Sequence, residues 1–285
     1  MPTSHHPTPP RTLVAIPIYN EAPTLERVLR AVRAHAEHVL VIDDGSTDAT
    51  PSVVDRLAHE LGIDVLRHAR NLGYGRSLID AFAHASEHAF AWVVTMDCDE
   101  QHEPAALPRF FRAISSAAQP DGADIISGSR YLDPALASDR PPPDRRAINA
   151  ELTGELNERL RLGITDAFCG FKAHRVRALE AAGLAHADAP GHTPIDPGYA
   201  VPMQLWARAA AAGLRIRELP VRLLYTDPTR TFGGTLDDPT QRLHHYRCVL
   251  HRELAHLRSA LRERIGPSAA AMLDQTCGCP EPAHA

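Results

Sequence analysis

The sequence predicts an α/β fold with a mostly parallel central sheet flanked by helices. Apolar runs of strand length alternate with amphipathic helical segments along most of the chain. The first four strand-like runs each end in a polar loop. At 285 residues and 44% hydrophobic composition, the chain can bury one sizeable core without division into two domains. Strands separated by helices have the crossover length that parallel pairing requires.

The Pro-rich start, MPTSHHPTPPR, is read as a disordered arm over residues 1–11. From Thr12, TLVAIPIYN forms a buried strand, and Thr24 stands where it can cap a helix carrying Leu25, Val28, Leu29 and Val32 at helical spacing. The alternation then repeats: VLVID (39–43) precedes a helix around 51–61, DVLRH (64–68) precedes one around 77–89, and AWVVTM precedes one near 104–116. ADIISGSRY (123–131) supplies another strand, and a helix around 203–212 leads into LRIRELPVRLLY (214–225), which supplies one or two more. These elements make one domain over residues 12–238. Between 239 and 266, Leu243, Tyr246, Leu250, Leu254, Leu257, Leu261 and Ile265 recur at three or four residues and predict one amphipathic helix. Its apolar face is expected to pack on its own domain, with dimerisation or contact with an anionic membrane as other uses. Residues 267–285 are read as a disordered tail, since the two cysteines of CGCPEPAHA do not complete a zinc site. Trp92 and Trp206 have apolar neighbours and are assigned to the core.

Composition excludes several function classes. A formal charge of -5 without a Lys/Arg block argues against nucleic acid as a partner. Five cysteines without framework spacing favour a reducing, cytoplasmic setting over a disulfide scaffold. No window reaches 18 uninterrupted apolar residues, which leaves peripheral membrane contact at most.

In an open α/β sheet, loops at the carboxyl ends of the strands line the ligand crevice. IPIYNEA, IDDGSTD, HARNLGYG and MDCDEQH each follow an apolar strand and are predicted to converge there. In the last of these, Asp97, Asp99 and Gln101 occupy every second position. On an extended backbone their side chains leave on one side, and oxygen donors without neighbouring cysteines suit Mg²⁺ or Mn²⁺. An EF-hand is excluded, because the sixth position from Asp97 is His102 and the twelfth is Pro108. Taken alone, the stretch is equally an acidic turn capping the next helix. The Asp43 to Asp48 segment can likewise be a turn and cap. RNLGYGRS is not a dinucleotide fingerprint, because Leu78 replaces the last glycine, and no GxxxxGK[ST] occurs. Arg130, Arg145, Arg146 and Lys172 are the basic residues that the sequence links to the crevice. They suit an anionic ligand, or alternatively pair with Asp144, Glu151 or Asp166.

The ordered set IPIYNE, VIDDGSTD, RNLGYG, MDCDEQHEP, SGSRYL, RRAIN and ITDAFCGFKAHR resembles glycosyltransferase family two from about Leu13 to Gly234. The joint presence of DxDxQH, SRY and D-x-x-[SC]-G-F-K is most similar to the polyprenyl-phosphate sugar transferases typified by dolichyl-phosphate mannose synthase. Cys169 stands where that family often has Ser. The resemblance implies a GT-A fold, a nucleotide-sugar donor and one divalent cation, Mg²⁺ or Mn²⁺. It places Pro17, Tyr19, Glu21, Asp44 and Arg70 around the base and ribose, with Asp97, Asp99 and Gln101 holding the metal on the diphosphate. It also makes Arg230 the best candidate of a later segment near the donor phosphates. Arg130, Arg145, Arg146 and Lys172 would receive an acceptor phosphate, and Asp166, with Asp99 and Arg130, would stand near the reacting centre. The implied reaction is inverting transfer of a hexose from GDP-mannose or UDP-glucose to a polyprenyl phosphate. A phosphate acceptor arrives ionised, so Asp166 is needed as a base only for a hydroxyl acceptor. The Pro-rich DPALASDRPPPDRR loop has no aromatic residues to meet an isoprenoid, which keeps a soluble phosphorylated or sugar acceptor as an alternative. A non-catalytic nucleotide-sugar-binding protein is the third reading.

Overall fold

The computed structural model of the chain describes residues 10–117, 122–133, 135, 141–186, 194–225 and 231–266. The first half alternates strand and helix: β1 (Thr12–Ile18), α1 (Ala22–Arg33), β2 (His38–Asp43), α2 (Thr50–Leu61), β3 (Asp64–Arg67), α3 (Tyr74–Glu87), β4 (Trp92–Thr95) and α4 (Leu107–Ala117). There follow β5 (Ile125–Ser129), α5 (Pro143–Leu160), β6 (Lys172–Arg175), α6 (Val176–Ala181), α7 (Val201–Ala212), β7 (Ile216–Pro220), α8 (Pro239–His256) and α9 (Arg258–Ile265).

The described strands form one sheet in the order β3-β2-β1-β4-β6-β5-β7. Strands β3, β2, β1 and β4 run parallel, β6 is antiparallel to both β4 and β5, and β5 is parallel to β7. The predicted α/β class and mostly parallel sheet are therefore observed. Because β5 is antiparallel to a strand that is itself antiparallel to β4, the carboxyl ends of β1 to β5 share one edge. Side chains alternate faces along β1, so Val14 and Ile16 pack with α1, α2 and α4, while Leu13 and Ala15 pack with α3, α6 and α7. Both faces are covered, as the unbroken apolar run predicts.

Several boundaries differ from the sequence reading. Helix α1 starts at Ala22, with Glu21 as its N-cap residue and Pro23 in its first turn, where the fixed proline φ favours helix entry. Thr24 is thus inside the helix, and its hydroxyl bonds to Glu21 instead. The segment Pro143–Leu160, which had drawn no helix prediction, forms α5 and buries Ile148, Leu152, Leu156 and Leu160 at four-residue spacing. The single C-terminal helix expected over 239–266 is interrupted at Leu257, giving α8 and α9.

Tyr246, Leu250, Leu254 and Leu261 enter a core shared with α5 and α7, so this apolar face is spent on the chain's own fold. A buried ion pair reinforces the packing: Arg208 on α7 donates to Glu253 on α8 at 2.7 Å, and Gln204 donates to the same carboxylate at 2.7 Å. Trp92 and Trp206 are both buried, and the Trp206 indole donates to the Ala167 carbonyl at 2.9 Å.

Candidate active-site cleft

A cleft of about 630 Å³ opens at the carboxyl edge of the sheet. Its first wall comes from the loops after β1, β2 and β3. Asn20 takes a left-handed conformation at φ 56, and its side-chain oxygen accepts from the backbone N–H of Thr47 at 2.8 Å. The loops after β1 and β2 are thereby joined. Gly45, at φ 70, permits the next contact: a Cβ there would meet the Arg70 backbone at 2.3 Å. Pro17, Tyr19 and Glu21 line the cleft, with the Tyr19 ring 42% exposed and open to a ligand.

Asp44 also lines the cleft, but its carboxylate is already engaged. One oxygen accepts the Leu72 N–H at 2.8 Å and lies 2.6 Å from His68 Nδ1, while the other accepts the Gly73 N–H at 2.8 Å. The His68 ring bridges onward to Asp80 at 2.8 Å. Asp44 therefore shapes the 68–73 loop as well as facing the cleft. Arg70 is exposed, and its side chain is outside the cleft lining.

The acidic loop follows β4. From sequence, an extended backbone is expected beyond Met96. Instead, β4 ends at Thr95, and Glu100 adopts φ 64, so Asp97, Asp99 and Gln101 reach the cleft from a turn. Asp99 Oδ1 accepts the Gln101 N–H at 3.0 Å, and the Tyr74 hydroxyl donates to Asp97 Oδ1 at 3.1 Å. His102 Nδ1 accepts the Asp97 N–H at 2.9 Å, which leaves its ring proton on Nε2. Burial pushes His102 below the ordinary histidine range against the opposing pull of Asp97, so the ring is neutral near pH 7.

These oxygen donors fit a hard cation shared with a ligand. Among the described residues, no group of three or more His, Cys, Asp and Glu side chains could hold a metal unaided. Mg²⁺-type sites commonly use one or two carboxylates and complete the shell with water and phosphate oxygens. Asp97, Asp99 and the Gln101 amide suit that arrangement.

Basic side chains line the same cleft, and Lys172 pairs in register with Thr95, two residues before Asp97. Arg130, Arg145 and Lys172 line the cleft, whereas Arg146 lies exposed on α5 outside it. Arg130 grips Asp166 in a fork, with Nε and a terminal nitrogen each 2.7 Å from a carboxylate oxygen, and donates to the Tyr225 hydroxyl at 2.7 Å. Asp166 is fully buried, accepts the N–H groups of Arg130, Phe168 and Cys169 as well, and is not part of the cleft lining. Burial raises its pKa, but the charge and hydrogen bonds of Arg130 more than reverse this and hold it below the ordinary carboxylate range. Asp166 therefore sits directly behind the cleft-lining Arg130, holding it and the 166–169 turn. Lys172 is buried, donates to the Cys169 carbonyl, and has its ammonium pKa lowered by burial. Burial, with Asp166 nearby, pushes the Cys169 thiol up to about 11, so it remains a small neutral side chain. Arg230 lies outside the described residues.

Several cleft residues had not been singled out from the sequence. Tyr74 sits between Gly73 and Gly75 at the start of α3. His102 ends the acidic motif itself. Tyr199 and Phe232 meet edge to face at 5.4 Å, and the guanidinium groups of Arg145 and Arg242 lie 4.6 and 4.4 Å from the Phe232 ring centre. Arg242 is itself buried and paired with Asp144. Nothing local in the sequence links Phe232 to Arg145, since 87 positions separate their numbers.

The family model described as glycosyl transferase family 2 matches residues 13–183. The polyprenol monophosphomannose synthase of Mycolicibacterium smegmatis is 31% identical over 226 residues, covering 77% of this chain and 79% of that protein. The undecaprenyl-phosphate mannosyltransferase of Micrococcus luteus is 33% identical over 216 residues, covering 74% and 82% respectively. The solved structure of glucosyl-3-phosphoglycerate synthase from Mycobacterium tuberculosis with Mn²⁺, UDP-glucose and phosphoglyceric acid superposes at TM-score 0.57. It shares 20% identity and covers 87% of this chain and 80% of that one. A mannosyltransferase from Pyrobaculum calidifontis in complex with GDP-Man and Mn²⁺ gives TM-score 0.53 at 21% identity over 93% and 79%. At such identities the structural matches speak to the fold, and they bear out the GT-A architecture that the motifs implied.

Proposed function

This chain belongs to glycosyl transferase family 2 and is a glycosyltransferase, and from that premise we propose that it transfers a hexose from a nucleotide-diphosphate sugar to a polyprenyl phosphate. GDP-mannose and UDP-glucose are the donors to test. The carrying observation is one cleft lined both by the oxygen donors Asp97, Asp99 and Gln101 and by the basic Arg130, Arg145 and Lys172. The similarity to a polyprenol monophosphomannose synthase and to an undecaprenyl-phosphate mannosyltransferase supports the lipid phosphate acceptor.

Loss of a nucleoside diphosphate accumulates negative charge on the leaving group. A divalent cation at Asp97, Asp99 and Gln101, Mg²⁺ or Mn²⁺, would supply Lewis-acid neutralisation of that charge when bound. Pro17, Tyr19 and Glu21 would flank the base and ribose. Arg145 and Arg130 would orient the acceptor phosphate through paired hydrogen bonds, and the fork to Asp166 would keep Arg130 from rotating away. An ionised phosphate oxygen attacks the anomeric carbon directly, the bond to the diphosphate breaks, and configuration inverts without a covalent enzyme intermediate. Asp166, locked on Arg130, is not arranged to take a proton, which suits a nucleophile that arrives deprotonated.

The deciding experiment incubates the protein with labelled donor, Mn²⁺ and a short-chain polyprenyl phosphate. Organic-extractable labelled product is expected. Label found only in a water-soluble product would overturn the lipid acceptor and favour a soluble one.

A further inference from the structure

We infer that Tyr74 is a positioning residue for the metal-side carboxylate, and that its hydroxyl, rather than the DxDxQ segment alone, sets the orientation of Asp97. This rests on the reading of Asp97 as a metal ligand. Tyr74 is the first residue of α3, at the far end of that helix from β4, yet its hydroxyl donates to Asp97 Oδ1 at 3.1 Å. Asp97 needs such an anchor: it lies beyond the end of β4, next to a turn that relies on the left-handed Glu100, and its side chain remains one-third exposed. The phenol restrains one oxygen, and the other lies 3.6 Å from His102 Nδ1.

The anchor is itself braced. The Tyr74 ring stacks on Tyr199 at 5.7 Å and 19°. The glycines on either side of Tyr74 are pressed against the segment that carries Tyr199: the Gly75 N–H donates to the Pro197 carbonyl at 2.7 Å, and a Cβ on Gly75 would sit 2.2 Å from the Asp196 carbonyl oxygen. A Cβ on Gly73 would likewise sit 2.2 Å from the Pro197 oxygen. Tyr74 therefore has little freedom to swing, and its hydroxyl is delivered to Asp97 by packing that the acidic loop does not provide. Groups that orient a metal ligand from behind typically change metal affinity by 10- to 100-fold when removed.

The test is Tyr74→Phe, which deletes one oxygen and keeps the ring and its stack, with the fold checked by thermal denaturation. Mn²⁺ binding is read by electron paramagnetic resonance in the presence of GDP or UDP, beside wild type and Asp97→Ala. The expected result is Mn²⁺ affinity about tenfold weaker in Tyr74→Phe, with donor KM raised more than kcat is lowered. Placing 3-fluorotyrosine at position 74, which retains the hydroxyl, should restore affinity to within about threefold of wild type on the same scale. If Tyr74→Phe binds Mn²⁺ like wild type while Asp97→Ala does not bind it, the positioning role is refuted and the metal site survives. If Asp97→Ala also binds like wild type, the metal site itself falls. Should Tyr74→Phe unfold, Tyr199→Leu, which removes the ring stacked on Tyr74, takes its place: weaker Mn²⁺ binding is expected, and affinity equal to wild type refutes the role.

Discussion

The Arg130–Asp166 fork offers the sharpest test of how the basic cleft residues work. Asp166→Asn removes the charge but keeps the shape and one acceptor oxygen. In the native state this carboxylate is fully buried and takes two 2.7 Å bonds from the Arg130 guanidinium. Removing one partner of a buried pair costs about 3–5 kcal/mol, and asparagine belongs at the lower end because it still accepts. At roughly 2–4 °C per kcal/mol for a chain of this size, a loss of about 3 kcal/mol lowers Tm by roughly 6–12 °C. The catalytic effect follows from Arg130 losing its orientation. Removal of one preorganised charge-stabilising donor costs roughly 10²–10³ in kcat, and a loosened donor should cost the lower figure or less. Steady-state assays on Arg130→Ala, Asp166→Asn and the double variant decide the route. If Asp166 acts through Arg130, the double variant is no slower than Arg130→Ala alone. Multiplying effects would refute this and return Asp166 to direct contact with the reacting atoms.

Other outcomes follow from the same geometry. Arg145→Ala should lower kcat/KM for the acceptor roughly 10- to 100-fold, the worth of a charged hydrogen bond, while calorimetry finds donor binding unchanged. Asp99→Ala should weaken Mn²⁺-dependent donor binding by at least about 100-fold, above the range for groups that only orient a ligand; equal binding with and without Mn²⁺ in both proteins would remove the metal site. Gly45→Ala places a Cβ 2.3 Å from the Arg70 backbone at φ 70, and should cost more than the roughly 1–3 kcal/mol of backbone strain alone, measured by urea unfolding. Glu155 has its pKa lowered to about 2: burial raises it, but hydrogen bonds from His251 and Arg247 prevail. Its folded pKa lies below the ordinary 4.5, so its contribution is fully present above that pH and is lost as pH falls toward 2. Glu155→Gln should flatten the Tm profile across that window and leave it unchanged at pH 7 in slope.

Much of the architecture was legible because its signals are local. Strands β1, β2 and β4 carry unbroken apolar runs over residues 13–16, 39–42 and 92–94, and polar loops follow them, so the α/β class and the crevice edge could be read without tertiary information. The four-residue spacing of Ile148, Leu152, Leu156 and Leu160 was a usable helix signal that the Pro-rich approach to α5 obscured. Strand β6 was different. KAHR is four residues long and largely polar, and it becomes a strand because β4 and β5 offer backbone partners on both sides.

The same division runs through the candidate site. The sequence by itself determined the family, the convergence of the strand-end loops and the chemical types available there, since these depend on residue identity and order. Only the tertiary structure decided which groups are free to serve. Asp166 turned inward because burial demanded a partner for its charge, and Arg130 supplied one. Asp44 was drawn into the 68–73 loop by two backbone N–H groups that needed an acceptor. Asp97 faces the cleft against the hydroxyl of Tyr74, a contact between residues 23 positions apart that no local pattern encodes. Hydrogen-bond satisfaction and burial are properties of the assembled fold, and they assigned the roles.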